Sequence, residues 1–154
     1  MKHVKGLIFA SLAAASIGLG AGLAAQPSKS RPYHNGSVWE VQYIRVKPGM
    51  GDAYSNYLSG QWKSLQEALK KDGLILSYKV IESESHGAND FNVMLMTEYK
   101  DLASMEAGES KQEAVAEKVV GDDSKQQQGY KDRTEMREVI GSRLSREIVL
   151  EPKK

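Results

Sequence analysis

Residues 74–99 read LILSYKVIESESHGANDFNVMLMTEY. Two runs rich in β-branched and aromatic side chains, 74–82 and 91–99, flank a stretch of Ser, Gly, Asn and Asp. Apolar runs bounded by turn-forming residues predict strands. The intervening SESHGAND is short enough for a hairpin, so the two strands are expected to be antiparallel neighbours. In the second run Phe91, Val93, Leu95, Thr97 and Tyr99 fall on one face, and Asn92, Met94, Met96 and Glu98 on the other, because successive side chains of a strand alternate.

Upstream of this hairpin, residues 51–71 carry Tyr54, Leu58, Gln61 or Trp62, Leu65 and Leu69 at three- and four-residue spacing. That spacing predicts one helix, with Asp52 as a cap at its start and Lys70, Lys71 and Gly73 as its stop. Before it, SVWEVQYIRVK (37–47) alternates as a strand ended by Pro48-Gly49. Trp39, Val41, Tyr43 and Arg45 share one face of that strand, and Val38, Glu40, Gln42, Ile44 and Val46 the other.

Downstream, KDLASMEAG predicts a short amphipathic turn and ESKQEAVAEKVV a helix. Residues 121–135 are strongly polar and read as an exposed loop or a solvated helical extension. Residues 136–150, MREVIGSRLSREIVL, give a last strand with Gly141 as a bulge position. The order is β-α-β-β-α-β, which specifies an α+β, ferredoxin-like fold: a four-stranded antiparallel sheet with its helices on one face. The uncovered face keeps apolar and aromatic side chains, and a bare apolar face is an association site. A homodimer joining two such faces is therefore expected.

At the other end of the chain, Lys2 and Lys5 precede an uncharged stretch, 6–25, rich in Ala, Leu, Ile and Gly, and Gln26-Pro27 follow at once. A basic start, an apolar middle and small residues at Gly22, Ala24 and Ala25 match a cleavable secretory signal. An uncleaved anchor is the competing reading, since about 20 apolar residues are just enough to span a bilayer. Four glycines and many alanines dilute the stretch and favour cleavage. The expected organisation is a signal peptide at 1–25, a flexible leader at 26–36, the α+β domain at 37–151 and a tail at 152–154. The expected location is periplasmic or secreted, with no stable membrane association after cleavage.

The chain has 21 basic and 20 acidic side chains, and removing Lys2 and Lys5 leaves 19 against 20, a net of −1. Balanced charge supplies no reason to expect nucleic acid as a partner. The absence of cysteine excludes disulfides, thiolate nucleophiles and cysteine-ligated metals.

The stretch from about Trp39 to Leu150 resembles the dimeric α/β-barrel superfamily, in particular exported bacterial members of that fold. The residues that carry the likeness are the first strand ending in VKPG, the helix with Trp62, the strand LSYKVIE, the strand FNVMLMTEY running into DLASME, and the late segment MREVIGSRLSREI. The resemblance implies a dimeric barrel. Its members range over monooxygenases, haem-degrading enzymes, dehydratases and stress-response proteins, so it fixes no activity.

Beyond the signal, histidine occurs only at His34, in the leader, and His86, in a Ser/Gly/Asn loop. No histidine follows His86, which disfavours the haem ligation the relatives use, and two loop histidines match no usual metal set. No G-x-S-x-G is present, and neither histidine has a rigid host for a hydrolase triad. Met94 and Met96 alternate on one strand face without a third soft ligand, so packing is the expected role. No cofactor is expected.

The positive candidates are Trp39, Tyr43, Trp62, Tyr78, Asn92 and Arg143, with Glu40, Gln42 and Arg146 as further polar groups. Aromatic walls with a few polar anchors are the usual make-up of a small-molecule site. In cofactor-free monooxygenase relatives such a pocket activates substrate. Packing of the core and dimer interface is the competing role for these aromatics. The expected function is binding of a small apolar molecule, with cofactor-independent monooxygenase-like chemistry, or alternatively a non-enzymatic envelope or stress-associated interaction.

Overall fold

In the computed structural model, residues 31–87 and 90–152 are described. The expected signal peptide and residues 26–30 of the leader lie outside them. β1 (Tyr33–Val46) starts four residues ahead of the expected boundary. The end of the leader is therefore strand: Tyr33, His34 and Asn35 pair with Leu150, Val149 and Ile148. The reason is the length of the last strand, which supplies backbone partners for these residues. Two β1 residues, Gly36 and Ser37, stand opposite the single Glu147, and the register shifts there.

After β1 the chain forms α1 (Gly51–Tyr57), a π-helical turn (Leu58–Trp62) and α2 (Lys63–Lys71). The single helix expected from spacing is thus interrupted. Gly60 weakens the helix locally, and two serines bond main-chain carbonyls within it: Ser59 Oγ donates to Asn56 O (3.2 Å) and Ser64 Oγ to Gly60 O (2.9 Å). The π turn shifts the helical phase, which is why Gln61 and Trp62 compete for one place in the apolar stripe. Asp52 lies in the first turn of α1 rather than at its cap, the position Met50 takes. Gly73, at φ 69°, ends the helix as expected.

β2 (Ser77–Glu82) and β3 (Val93–Tyr99) form the hairpin. Next come α3 (Leu102–Ala107), α4 (Glu109–Val120), α5 (Asp123–Met136) and β4 (Arg137–Leu150). The Asp101 carboxylate caps α3 by accepting from Ser104 N at 2.6 Å. Gly121, at φ 117°, breaks the chain between α4 and α5. Asp122 then caps α5 by accepting from Lys125 N at 3.0 Å. The polar segment expected as loop or solvated extension is this helix, and it has no fully buried residue.

The sheet order is β2-β3-β1-β4 with every neighbouring pair antiparallel. This is the ferredoxin-like arrangement, and the fold is α+β as expected. A second register shift leaves Ile140 as the extra β4 residue beside Gly141, where Tyr43 pairs with Gly141 and Ile44 with Val139.

The helices cover one face of the sheet. One core cluster joins Val38 and Tyr99 with Leu69, Ile75 and Val115; a second joins Ile44 and Leu95 with Tyr54. Between the two clusters runs a polar band. Buried Gln66 accepts through Oε1 from Thr97 Oγ1 (3.4 Å), Gln42 Nε2 donates to Glu40 (3.4 Å), and Tyr99 OH donates to Gln112 (3.3 Å).

The opposite face has no helix over it. It presents Trp39, Val41, Tyr43, Met94, Met96, Ile81 and Ile140 from alternating sheet positions. Phe91, expected beside Val93 and Leu95, precedes β3 and is not held to its alternation. It packs edge-on against Tyr43 on this open face, with ring centroids 4.8 Å apart.

Candidate functional site

The six residues expected to line one pocket divide among three environments. Trp39, Tyr43 and Arg143 are on the open face. There Lys79 Nζ lies 4.9 Å from the Trp39 ring centroid, and the Arg143 guanidinium carbon 5.9 Å from that of Tyr43. Trp62 and Tyr78 meet on the helix side, edge to face at 5.3 Å, and the Tyr78 hydroxyl donates to Glu67. Asn92 is tied to the β1 backbone: its Oδ1 accepts from Val46 N (2.8 Å) and its own N–H donates to Ile44 O (2.9 Å). It clips the start of β3 to the end of β1. A single pocket from all six is therefore corrected, because the sheet itself separates them.

Tyr43 and Arg143 do border an open hollow of about 410 Å³, together with Phe91, Ile140, Gly141 and Ser142. Its shape follows from the bulge at Ile140 and from Gly141, whose missing Cβ would meet nothing within 4 Å.

A second cleft, on the helix side, carries groups the sequence reading passed over. It holds about 360 Å³ between the end of α5 and the start of β4, and its walls include Tyr130, Arg133, Arg137, Glu138 and Val139. Beyond Arg133 it adjoins a smaller cavity of about 110 Å³ that includes Tyr57, Gln61 and Trp62 from α1 and the π turn. π-helical turns of this kind are frequent at functional sites.

Tyrosine rings and guanidinium groups cluster in and behind this cleft. The Arg133 Cζ is 5.8 Å from the Tyr130 ring centroid and 5.4 Å from that of Tyr57. Tyr57 stacks on Tyr54 at 5.8 Å, and the Arg137 Cζ lies 5.8 Å from the Tyr54 ring. Cation–π contact uses the face of a ring and leaves the in-plane N–H donors of arginine free for other partners. Among the described residues, a tyrosine hydroxyl and three guanidinium nitrogens are shut from solvent without a hydrogen bond: Tyr54 OH, Arg133 Nε, and Arg137 Nε and Nη1. Gly129, one turn before Arg133, gives that side chain room, since a Cβ there would come within 3.2 Å of Arg133 Nη1.

Burial pushes the Tyr54 hydroxyl up to about 12, against the opposing pull of Arg137. It is a proton donor throughout the physiological range. Tyr54→Phe removes that donor and nothing else. An unsatisfied buried polar group costs about 1–3 kcal/mol, so the ligand-free variant is expected to equal or exceed the parent by up to about 1 kcal/mol. A urea midpoint measures this. A clear loss of stability would show that the hydroxyl already has an acceptor.

Arg133 and Tyr130 fall where the sequence shows only polarity, Arg137 falls in the expected last strand, Tyr54 reads as helix packing, and Tyr57 lies outside the apolar stripe. The available signal was Arg133 and Arg137 four residues apart, but no local pattern ties them to tyrosines some 80 positions earlier in the chain. Among the described residues, no group of three or more His, Asp or Glu side chains is placed to hold a metal ion.

Fold and cleft together define a ferredoxin-like α+β protein with a cationic, tyrosine-lined site beside the sheet. No protein-family model and no curated protein matches the chain. Among solved structures, it is similar to HapK from Hahella chejuensis, with 12% identity and a TM-score of 0.47 over 70% of this chain and 90% of that one. It is also similar to a NipSnap family protein of unknown function from Agrobacterium tumefaciens str. C58, with 16% identity and a TM-score of 0.48 over 77% and 92%. A third similar structure is a dimeric ferredoxin-like protein from an uncultured marine organism, with 16% identity and a TM-score of 0.41 over 78% and 100%.

Proposed function

We propose that the protein is an exported homodimer, an α/β barrel made by joining two open sheet faces, that binds a small, mostly apolar molecule between sheet and helices. The observation that carries the binding site is the set of buried, unpartnered donors around the helix-side cleft. A folded chain rarely leaves such groups unsatisfied unless something else completes them. Export rests on the layout of residues 1–25. The dimer rests on the open face, where apolar residues are mixed with Lys79, Arg143, Glu98 and Glu138. A two-fold interface places one patch against itself, and a patch with both charge signs is suited to that. For cofactor-independent monooxygenase-like chemistry, the Tyr54 hydroxyl and Arg137 are the groups that would hold a substrate oxygen.

A second reading, a non-enzymatic interaction protein of the envelope, is favoured by one feature. β4, the edge strand of the sheet, exposes Val139, Leu144, Ile148 and Leu150, the last 74% exposed.

Native mass spectrometry of the protein purified from the periplasm tests both. Twice the mass of the chain cleaved near residue 25, with a small-molecule increment, is the expected result. A dimer with no increment favours the second reading, and a monomer overturns the barrel.

A further inference from the structure

We propose that the helix-side cleft takes an organic anion: a small carboxylate with an aromatic or alicyclic body, its charged group held by Arg133 and Arg137 and its body by Tyr57, Tyr130 and Val139. The inference rests on the reading that this cleft binds a small molecule, and adds the ligand's chemical class.

Charge is the first ground. Arg133 and Arg137 both border the cleft and both are partly buried. Among the described residues, neither has a carboxylate within salt-bridge distance. Glu138 is the one acid bordering the cleft, and its carboxylate is engaged by the Arg45 guanidinium, opposite it on the open face. Two guanidinium groups on one cleft repel each other, and partial burial strengthens the repulsion by lowering the local dielectric. An anion between them reverses the sign of that interaction.

Donor geometry is the second ground. A guanidinium offers N–H groups in a planar fork that matches a carboxylate. Here Arg133 Nε and Arg137 Nε and Nη1 lack acceptors, as does the Tyr54 hydroxyl. The three guanidinium atoms can only donate and the tyrosine hydroxyl can donate as well, so an acceptor-rich group would answer all four. A neutral apolar ligand would leave them unsatisfied.

Shape is the third ground. The cleft, about 360 Å³, lies within the range of small-ligand sites, roughly 300–1,000 Å³. The ring of Tyr130, in the cleft wall, and that of Tyr57, in the smaller cavity beyond, lie 5.8 and 5.4 Å from the Arg133 guanidinium carbon. They offer flat apolar surface beside the charge, which suits a ring-bearing acid better than a bare inorganic ion.

The experiment is isothermal titration of the whole protein with phenylacetate and, separately, with phenylacetamide, its neutral isostere. Phenylacetate is expected to bind at least tenfold more tightly, and Arg133→Gln and Arg137→Gln are each expected to close most of that gap. Equal binding of acid and amide overturns the anion inference and leaves the small-molecule site standing. Binding of neither probe overturns both. The acid–amide comparison is made on the unaltered chain, so it decides even if an arginine variant fails to fold.

Discussion

Replacing Ile44 by alanine is expected to remove about 2–5 kcal/mol of stability, the cost of emptying a well-packed core position. Ile44 has 0% of its surface exposed and forms the second core cluster with Tyr54 and Leu95. It is also the β1 residue immediately beyond the bulge, paired with Val93 on one side and Val139 on the other. Strands on both sides hold its backbone, so the surroundings have little freedom to collapse into the space. A domain of this size has only about 5–15 kcal/mol in total. Urea unfolding at fixed protein concentration measures the loss, with the concentration held because association adds to apparent stability. An unchanged slope with a lower midpoint is the expected pattern. A change below about 0.5 kcal/mol, the size typical of surface substitutions, would contradict the assigned core.

Met96→Asp is expected to weaken the homodimer at least 100-fold, about 2.8 kcal/mol by the tenfold equivalence of 1.4 kcal/mol. Met96 stands in the middle of the open face, with Val41 opposite it on β1 and Lys79 opposite it on β2. In the single chain an aspartate there lies across from a lysine, a favourable cross-strand pair. The monomer fold is thus spared. In the proposed dimer the same carboxylate is placed, once per subunit, into an apolar interface, where burying charge is costly. Sedimentation across a concentration series reads the effect. Two results contradict the barrel: a parent protein that sediments as a monomer, or a variant that dimerises as tightly as the parent.

Much of the fold was legible in local pattern. Alternation in β1 put Val38 and Ile44 on one face and Trp39 and Tyr43 on the other, as the pairing does, and the packing shows that the helices lie over the first. The stripe through Tyr54, Leu65 and Leu69 marked the packed side of the first helical rod. α5 was less legible because its apolar residues are few: Tyr130 and Met136 make no stripe, so only the Asp122 cap and a run of polar helix formers speak for it. Phe91 misled because alternation holds only within a paired strand, and β3 begins two residues later, at Val93.

The candidate site divides along the same line. Trp62 and Tyr78, both singled out by residue type, do meet, and Tyr43 meets Arg143. Asn92 was chosen for a polar side chain that the β1 backbone takes up instead. Residue type says what a side chain can do, while its partner depends on which segments come together.

By itself the sequence determined the element order, the two faces of the first strand, the turns at glycine and the absence of thiol chemistry. All of these are read within a few residues, because side-chain periodicity and turn propensity are local properties of the backbone. Only the tertiary structure decided that Arg133 and Arg137 stand against Tyr57 and Tyr54 with their N–H groups unanswered. That site is made when α5 and the start of β4 pack beside α1, and contacts between distant segments leave no period in the chain that forms them.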